Sequence, residues 1–216
     1  MKKISFPGYI YFEILWVNRN YYLAWHAFIL LCFSHITLAL IGSKEELNNL
    51  SQLIFLLLLP LIMLNLQHYF YKEDFRSGRL EILLSLFTPL QIAITRYLAI
   101  TCSVLLAFAG NLLLSSLLFS YNITQINNLI LTLPNLILTC CAYLSLLNAA
   151  SCYFKTNSHH LIALFFPLIM PCLILIGLYF NEAFPSAPYL LLAINLFFVP
   201  ICWLSASYLI SNIYHS

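Results

Sequence analysis

The acidic and basic side chains of this protein are concentrated in one ten-residue segment, residues 72–81. The segment holds six of the sixteen acidic and basic side chains among 216 residues, in the order Lys72-Glu73-Asp74-Phe75-Arg76-Ser77-Gly78-Arg79-Leu80-Glu81. Acidic and basic groups at this density suit electrostatic contacts with another protein or with the edge of a membrane. They form no arrangement typical of an enzyme's active site. The segment is therefore a candidate binding surface.

No other residues form a catalytic or metal-binding pattern. The chain contains no phosphate-binding loop, no nucleophile elbow and no zinc-protease helix motif. Its seven cysteines form no C-x-x-C pair, which predicts packing roles rather than metal or redox chemistry. His26 and His35 are nine positions apart, so they lie on opposite faces of one helix and cannot clamp one ligand. We expect neither enzyme activity nor a directly bound cofactor.

The composition predicts an integral membrane protein. Hydrophobic residues make up 62% of the chain and charged residues 7%, and the mean hydropathy is +0.92. A membrane-spanning helix needs about 20 mostly apolar residues. A barrel strand would instead alternate polar and apolar residues, which the uniformly apolar residues 53–64 do not do. The predicted fold is all-α with six transmembrane helices, approximately over residues 21–41, 50–71, 92–119, 129–154, 159–180 and 189–213.

The positions of Lys and Arg predict the orientation of these spans, because basic residues in short loops stay on the cytoplasmic side. Eight of the nine basic residues fall on one side of the six-span arrangement, and Lys44 alone falls on the other. Both termini are therefore expected in the cytoplasm, and residues 42–49, 120–128 and 181–188 outside. The net charge of +2 reflects this bias and does not indicate nucleic-acid binding.

The first 22 residues predict an uncleaved segment with an interfacial helix. Pro7, Glu13 and Arg19 interrupt any apolar core of a signal peptide. Residues 9–22 mix six aromatic side chains with polar ones, a composition typical of a helix in the headgroup plane. The alternative is a simple extension of the first span.

The charged segment itself predicts a helix over residues 73–87 that ends before Pro89. Asp74, Gly78, Glu81 and Ser85 then follow at steps of four, three and four, which places them on one face. This polar stripe on a mostly apolar helix would suit docking of another protein, with Gly78 allowing close approach. An ordinary interfacial loop with positive charges is the alternative.

No acidic or basic residue falls in the middle of a predicted span, so a transporter built on this chain would need a partner as its energy source.

Two stretches of the sequence have a recognisable residue order. The first is Tyr71-Lys72-Glu73-Asp74-Phe75-Arg76-Ser77-Gly78-Arg79-Leu80-Glu81-Ile82-Leu83-Leu84, followed by Thr88-Pro89 and Arg96. The second is Leu164-Phe165-Phe166-Pro167-Leu168-Ile169-Met170-Pro171-Cys172-Leu173-Ile174-Leu175-Ile176-Gly177. Both stretches resemble the haem exporter protein B family (CcmB), the permease subunits of the cytochrome c maturation system. Arg96 stands where the family commonly has Lys, and Phe166 replaces a common Leu. The length of the chain and its six predicted spans also agree with the family over residues 1–216. The resemblance therefore implies a single permease domain.

The resemblance implies a homodimeric ABC-transporter transmembrane subunit of the ABC-2 exporter type. Its partners would be an ATP-binding subunit that consumes the ATP, a haem-handling membrane subunit and a small single-span subunit. Haem is the candidate species transported or handled, through export or ATP-driven release of a haem-loaded chaperone. The location implied is the bacterial inner membrane, or alternatively the mitochondrial inner membrane. By this resemblance the ATPase-coupling helix comprises Glu73, Asp74, Phe75, Arg76, Gly78, Leu80, Glu81 and Ser85.

The proline pair predicts an interruption of the fifth span. Pro167 and Pro171 each lack a backbone donor on nearly the same helix face. We expect a kink or break there, with a short re-entrant piece before the sixth span as the exporter class implies.

Other functions stay open: an ABC-2 exporter for a lipid or another small molecule, a non-transporting scaffold, or a haem-binding membrane protein. The last should show clustered tryptophans and facing His ligands, whereas Trp16, Trp25 and Trp203 are dispersed.

Overall fold

The computed structural model describes residues 6–41, 44–66, 69–155 and 158–213, and within these ranges the chain is helical with no strand. The described residues form nine α-helices in chain order. They are α1 (Phe6–Tyr21), α2 (Leu23–Ile41), α3 (Lys44–Asn65), α4 (Lys72–Arg76), α5 (Arg79–Leu86), α6 (Pro89–Phe119), α7 (Ile123–Tyr153), α8 (Ser158–Phe180) and α9 (Ala187–Asn212).

Four of these helices, α6 to α9, are long and apolar enough to cross a membrane, which indicates a membrane protein. In α2 and α3 the apolar stretches are shorter, covering Trp25–Leu40 and Ser51–Asn65. Each of the six predicted spans corresponds to one helix. The second predicted span ends six residues too late, because the chain leaves α3 after Asn65. The predicted all-α class is confirmed, and six crossings stay a prediction.

Helix α7 lies at the centre of the bundle, packed against α3, α6, α8 and α9. Its core positions, such as Leu133, Leu136 and Cys140, are completely buried. A polar contact ties α7 to α9: the Asn195 amide donates to the Asn135 carbonyl at 2.9 Å, and the Thr139 hydroxyl donates to Asn195 Oδ1 at 2.7 Å. In contrast, α8 and α9 expose many large apolar side chains, as expected of lipid-facing helices.

Helix α1 is separate from α2, because the chain turns at Tyr22, whose φ is +47°. It packs along α6 and contacts α2 only slightly. The interpretation of residues 9–22 as an extension of the first span is therefore wrong. A distinct N-terminal helix is present, and its placement in the headgroup plane stays a prediction.

The predicted break at Pro167 and Pro171 and the re-entrant piece after it are wrong, whereas a kink within the helix stays a prediction. Helix α8 continues from Ser158 to Phe180 with both prolines inside it, and α9 begins at Ala187, so no re-entrant piece separates the two helices. Each proline removes one backbone donor, a loss that membrane helices tolerate. Pro60, Pro134 and Pro200 are likewise accommodated within α3, α7 and α9.

Candidate functional site

The charged segment folds as a connector, residues 71–88, that joins α3 to α6. It contains two short helices, α4 and α5, rather than the single helix predicted over residues 73–87. Gly78 separates them with a left-handed φ of +73°. A glycine adopts this conformation without the steric cost that a Cβ would bring. Gly78 therefore has a local role in the turn, which was not foreseen from its place in the polar stripe.

The start of the connector is fixed to α7. The backbone N–H groups of Tyr71 and Lys72 donate to Asn148 Oδ1 at 2.9 and 3.1 Å, so one side chain of α7 satisfies two donors at the beginning of α4. The Tyr71 hydroxyl also lies 2.8 Å from Ser145 Oγ. Tyr71 is fully buried, and this burial raises its pKa to about 12.

The end of the connector is fixed by the start of α6. Phe87 is extended, and Thr88 and Gln91 form a reciprocal capping box with distances of 3.1 and 3.3 Å. Pro89 occupies the first turn of α6, where its missing donor has no cost. The prediction that the helix of the charged segment ends before Pro89 is confirmed.

Four charged side chains from three parts of the fold form an ion-pair ring: Glu13 of α1, Asp74 and Arg79 of the connector, and Arg96 of α6. Arg79 donates to Glu13 Oε2 at 2.8 Å and to Asp74 Oδ1 at 3.1 Å. Arg96 lies 2.9 Å from Glu13 Oε1 in an ion pair and donates to Asp74 Oδ2. Each carboxylate thus contacts both guanidinium groups, and the ring is neutral.

The ion-pair ring is almost completely buried. Glu13 is 0% exposed, Arg96 1% and Asp74 2%, and only Arg79 has a partly accessible side chain. Taking charges out of water is costly, and mutual pairing offsets that cost only while every partner is present. The ring therefore holds α1, the connector and α6 in one arrangement.

Aromatic side chains of α1 complete this cluster. The Arg79 guanidinium lies 3.4 Å from the centre of the Trp16 ring, and the Arg96 guanidinium lies 5.4 Å from it, both within cation–π range. The Tyr9 ring stacks on Phe87 with a centroid distance of 4.0 Å. Burial, reinforced by the nearby Glu13 carboxylate, raises the pKa of Tyr9 well above its usual range. Helix α1 thus contacts the connector at Arg79, in its middle, and at Phe87, near its end.

The eight residues predicted for docking separate into two groups. Asp74 and Leu80 are buried and Phe75 is partly buried, so these three are structural rather than available to a partner. The predicted stripe fails at Asp74 because that carboxylate binds Arg79 and Arg96. The exposed members are Glu73, Arg76, Glu81 and Ser85, while Gly78 has intermediate exposure in the turn.

Two apolar residues that the stripe did not include extend the exposed surface. Ile82 is 62% exposed and Leu86 61% exposed on α5, beside Glu81 and Ser85. We call these four residues the α5 face. An apolar pair bordered by polar groups is typical of a protein contact.

Sequence reasoning also missed Glu13 and Trp16 as members of the site, and it took Arg96 only as part of a resemblance. A signal was available, because acidic and basic side chains in so apolar a chain are rarely buried unless they are paired. The sequence does not show which pairs form, since Glu13 and Arg79 are 66 positions apart.

The structure brings together no metal site in the part that it describes: no group of three His, Cys, Asp or Glu side chains is suitably placed there. His35 is buried and its Nδ1 lies 2.7 Å from the Leu31 carbonyl, whereas His26 is exposed. His68 and the side chains of His159 and His160 lie outside the described parts.

Comparison with known proteins finds distant relatives over nearly the whole chain. An uncharacterized protein of Rickettsia conorii is 25% identical over 203 residues, which cover 94% of each chain. An uncharacterized protein of Rickettsia prowazekii is 24% identical over 187 residues, or 87% of each chain. No protein-family model and no solved structure matches.

Proposed function

We propose that this chain is the transmembrane permease subunit of an ABC transporter, and that its connector couples a separate ATP-binding subunit to the membrane helices. The observation that carries this proposal is the buried ion-pair ring, because it attaches an exposed helical segment to helices on either side of it. The α5 face would bind the ATP-binding subunit. Glu73 and Arg76 on α4 would border the contact.

The ring gives this proposal a mechanical basis. Force on α5 passes through Arg79 to Glu13 of α1, and through Asp74 to Arg96 of α6. Asn148 passes displacement of α4 to the central helix α7. Close-packed helices with paired buried charges move as units rather than deform continuously. A small shift of the connector would therefore move α1, α6 and α7 together.

The resemblance to the CcmB family supports cytochrome c maturation as the process. In this proposal α2, α3 and α6 to α9 make six crossings, and the connector and both termini face the cytoplasm of a bacterium. Two copies form the permease with an ATP-binding subunit, a haem-handling membrane subunit and a small single-span subunit. Haem, or a chaperone carrying it, is the species handled.

Isolation of the complex through this chain tests the proposal. We expect a subunit with a phosphate-binding loop and ATPase activity to be retained, together with a haem-binding membrane protein. Replacing Ile82 and Leu86 with Glu should reduce retention of the ATPase at least tenfold, because each substitution places a carboxylate in an apolar contact. Membrane insertion should not change, since both side chains are already exposed.

Ile123→Glu is the matched control, because Ile123 is 79% exposed at the first turn of α7, beyond the opposite end of α6. Equal retention by the Ile82/Leu86 variant and this control would contradict coupling through the α5 face. An ATPase without a haem-binding partner would favour an ABC-2 exporter for a lipid or another small molecule. Absence of any ATPase would favour a scaffold.

A further inference from the structure

Beside the connector, two concave surfaces meet at one residue, and no residue of the ion-pair ring lines either of them. A headgroup-sized pocket of about 280 Å³ is lined by Tyr69, Lys72, Glu73 and Arg76. A second depression of about 310 Å³, the α2–α3 groove, lies between those two helices and is also lined by Tyr69. The lining of the groove is almost entirely apolar. The pocket shares Glu73 and Arg76 with the border of the proposed ATPase contact, whereas the groove shares no residue with that contact.

The pocket has the charge of a site for one phosphodiester. Two cations and one carboxylate line it, a net charge of +1. Lys72 and Arg76 are four residues apart on α4 and therefore project from the same side of the helix. Asn148 fixes the first turn of α4, so the backbone that carries both cations is held in place without a ligand.

The groove has a polarity gradient that matches a lipid. Two polar residues line one end of the groove. His26 belongs to the first turn of α2, and Asn65 belongs to the last turn of α3. Ile29, Leu30 and Ile62 line it further along each helix. A polar end thus adjoins the cationic pocket at Tyr69, and an apolar channel leads away from it. Basic pockets beside membrane helices are known sites for anionic headgroups.

We propose that the pocket and the α2–α3 groove together bind one anionic glycerophospholipid. Lys72 and Arg76 contact the phosphodiester, Tyr69 lies at the junction of headgroup and chains, and an acyl chain follows Ile29, Leu30 and Ile62. Lipid binding at this site does not depend on the proposed transport function, although Arg76 also borders the proposed ATPase contact. It concerns the lipid that the protein binds as a membrane protein.

Lipid binding is measured on the full chain by native mass spectrometry from mixed micelles. The lipids are phosphatidylglycerol and phosphatidylcholine with identical chains. We expect phosphatidylglycerol to be retained preferentially. Lys72→Gln with Arg76→Gln should weaken its binding roughly 25-fold, because two cations are removed and each contributes a factor of about five. Arg19→Gln with Lys155→Gln is the control, because it removes two exposed basic residues that line neither surface.

A second pair of variants tests the groove. Leu30→Trp should fill it and reduce retention of phosphatidylglycerol, whereas Leu117→Trp, on an exposed part of α6, should not. Equal retention of the two lipids, or equal loss in the Lys72/Arg76 variant and its control, would overturn the proposal. Competition by inorganic phosphate with no effect of Leu30→Trp would also overturn it, since that result describes a phosphate site without an acyl chain.

Discussion

At the scale of single residues, Glu13 and Arg96 show how the chain tolerates charge beside apolar helices. Both are buried, and each contacts two opposite charges of the ion-pair ring. Removing one leaves an uncompensated buried charge, which typically costs roughly 3–5 kcal/mol. Removing both leaves Asp74 paired with Arg79, and the remaining cluster is neutral.

This pairing predicts strong non-additivity. Glu13→Gln and Arg96→Met should each lower the free energy of unfolding by roughly 3–5 kcal/mol. The double variant should lose less than the sum by roughly 1–3 kcal/mol. Chemical unfolding in detergent measures all three, with Arg19→Met as an exposed control. Simple addition of the two effects would mean that the Glu13–Arg96 contact contributes nothing.

Gly78 is predicted to be required for its backbone conformation. Gly78→Ala should lower the free energy of unfolding by roughly 1–2 kcal/mol, because φ is +73° even though a Cβ would meet open space. Gly177→Ala is the control, since a Cβ there also meets open space and no positive φ is involved. Equal effects in thermal unfolding would contradict a conformational role. A bulky substitution such as Gly78→Trp would strain the same turn, so it would not isolate an effect on partner docking.

At the scale of elements, the charged segment shows the limits of periodicity. Its residues have helical spacing, and the prediction that they are helical was right. A regular helix would have put Asp74 and Glu81 on one exposed face, but the ion pairs of Asp74 and the turn at Gly78 divide the segment. The Asp74–Arg96 and Glu13–Arg79 pairs join residues 22 and 66 positions apart, which spacing within fifteen residues cannot reveal.

The continuous α8 leads to a prediction about its prolines. Pro167→Ala with Pro171→Ala restores two backbone donors inside a helix that is already continuous. The double variant should unfold at the same or a higher temperature and keep any cytochrome c maturation that the wild type supports. A normally inserted variant without that activity would show that the prolines themselves are needed. Leu168→Ala, which also faces the surface lined by both prolines, is the control.

At the scale of the whole molecule, composition and hydropathy were enough to predict an all-α membrane protein and the approximate position of each long helix. They could not predict that α1 would share a buried charge cluster with the connector. Burying Glu13 becomes favourable only when Arg79 and Arg96 are both present. That condition depends on the tertiary structure, and a hydropathy profile does not contain it.

The six-crossing arrangement predicts from which side of the membrane an introduced cysteine can be labelled. In a cysteine-free background, Ser77→Cys should react only with a reagent that reaches the cytoplasm, and Ser186→Cys only from outside. Ser43→Cys, which lies outside the described residues, decides whether α2 and α3 cross. Reaction of position 43 from outside supports six crossings, whereas reaction on the same side as position 77 supports four.

The ion-pair ring also imposes an order on biosynthesis. Glu13 leaves the ribosome 83 residues before Arg96, an interval of roughly 4 to 17 s at about 5–20 residues per second. Until Arg96 emerges, Arg79 is the only one of the ring's two guanidinium groups that has been made, and it follows Glu13 by 66 residues. Glu13 must therefore stay hydrated while α2 and α3 are being made. Helix α1 docks late, although it is synthesised first.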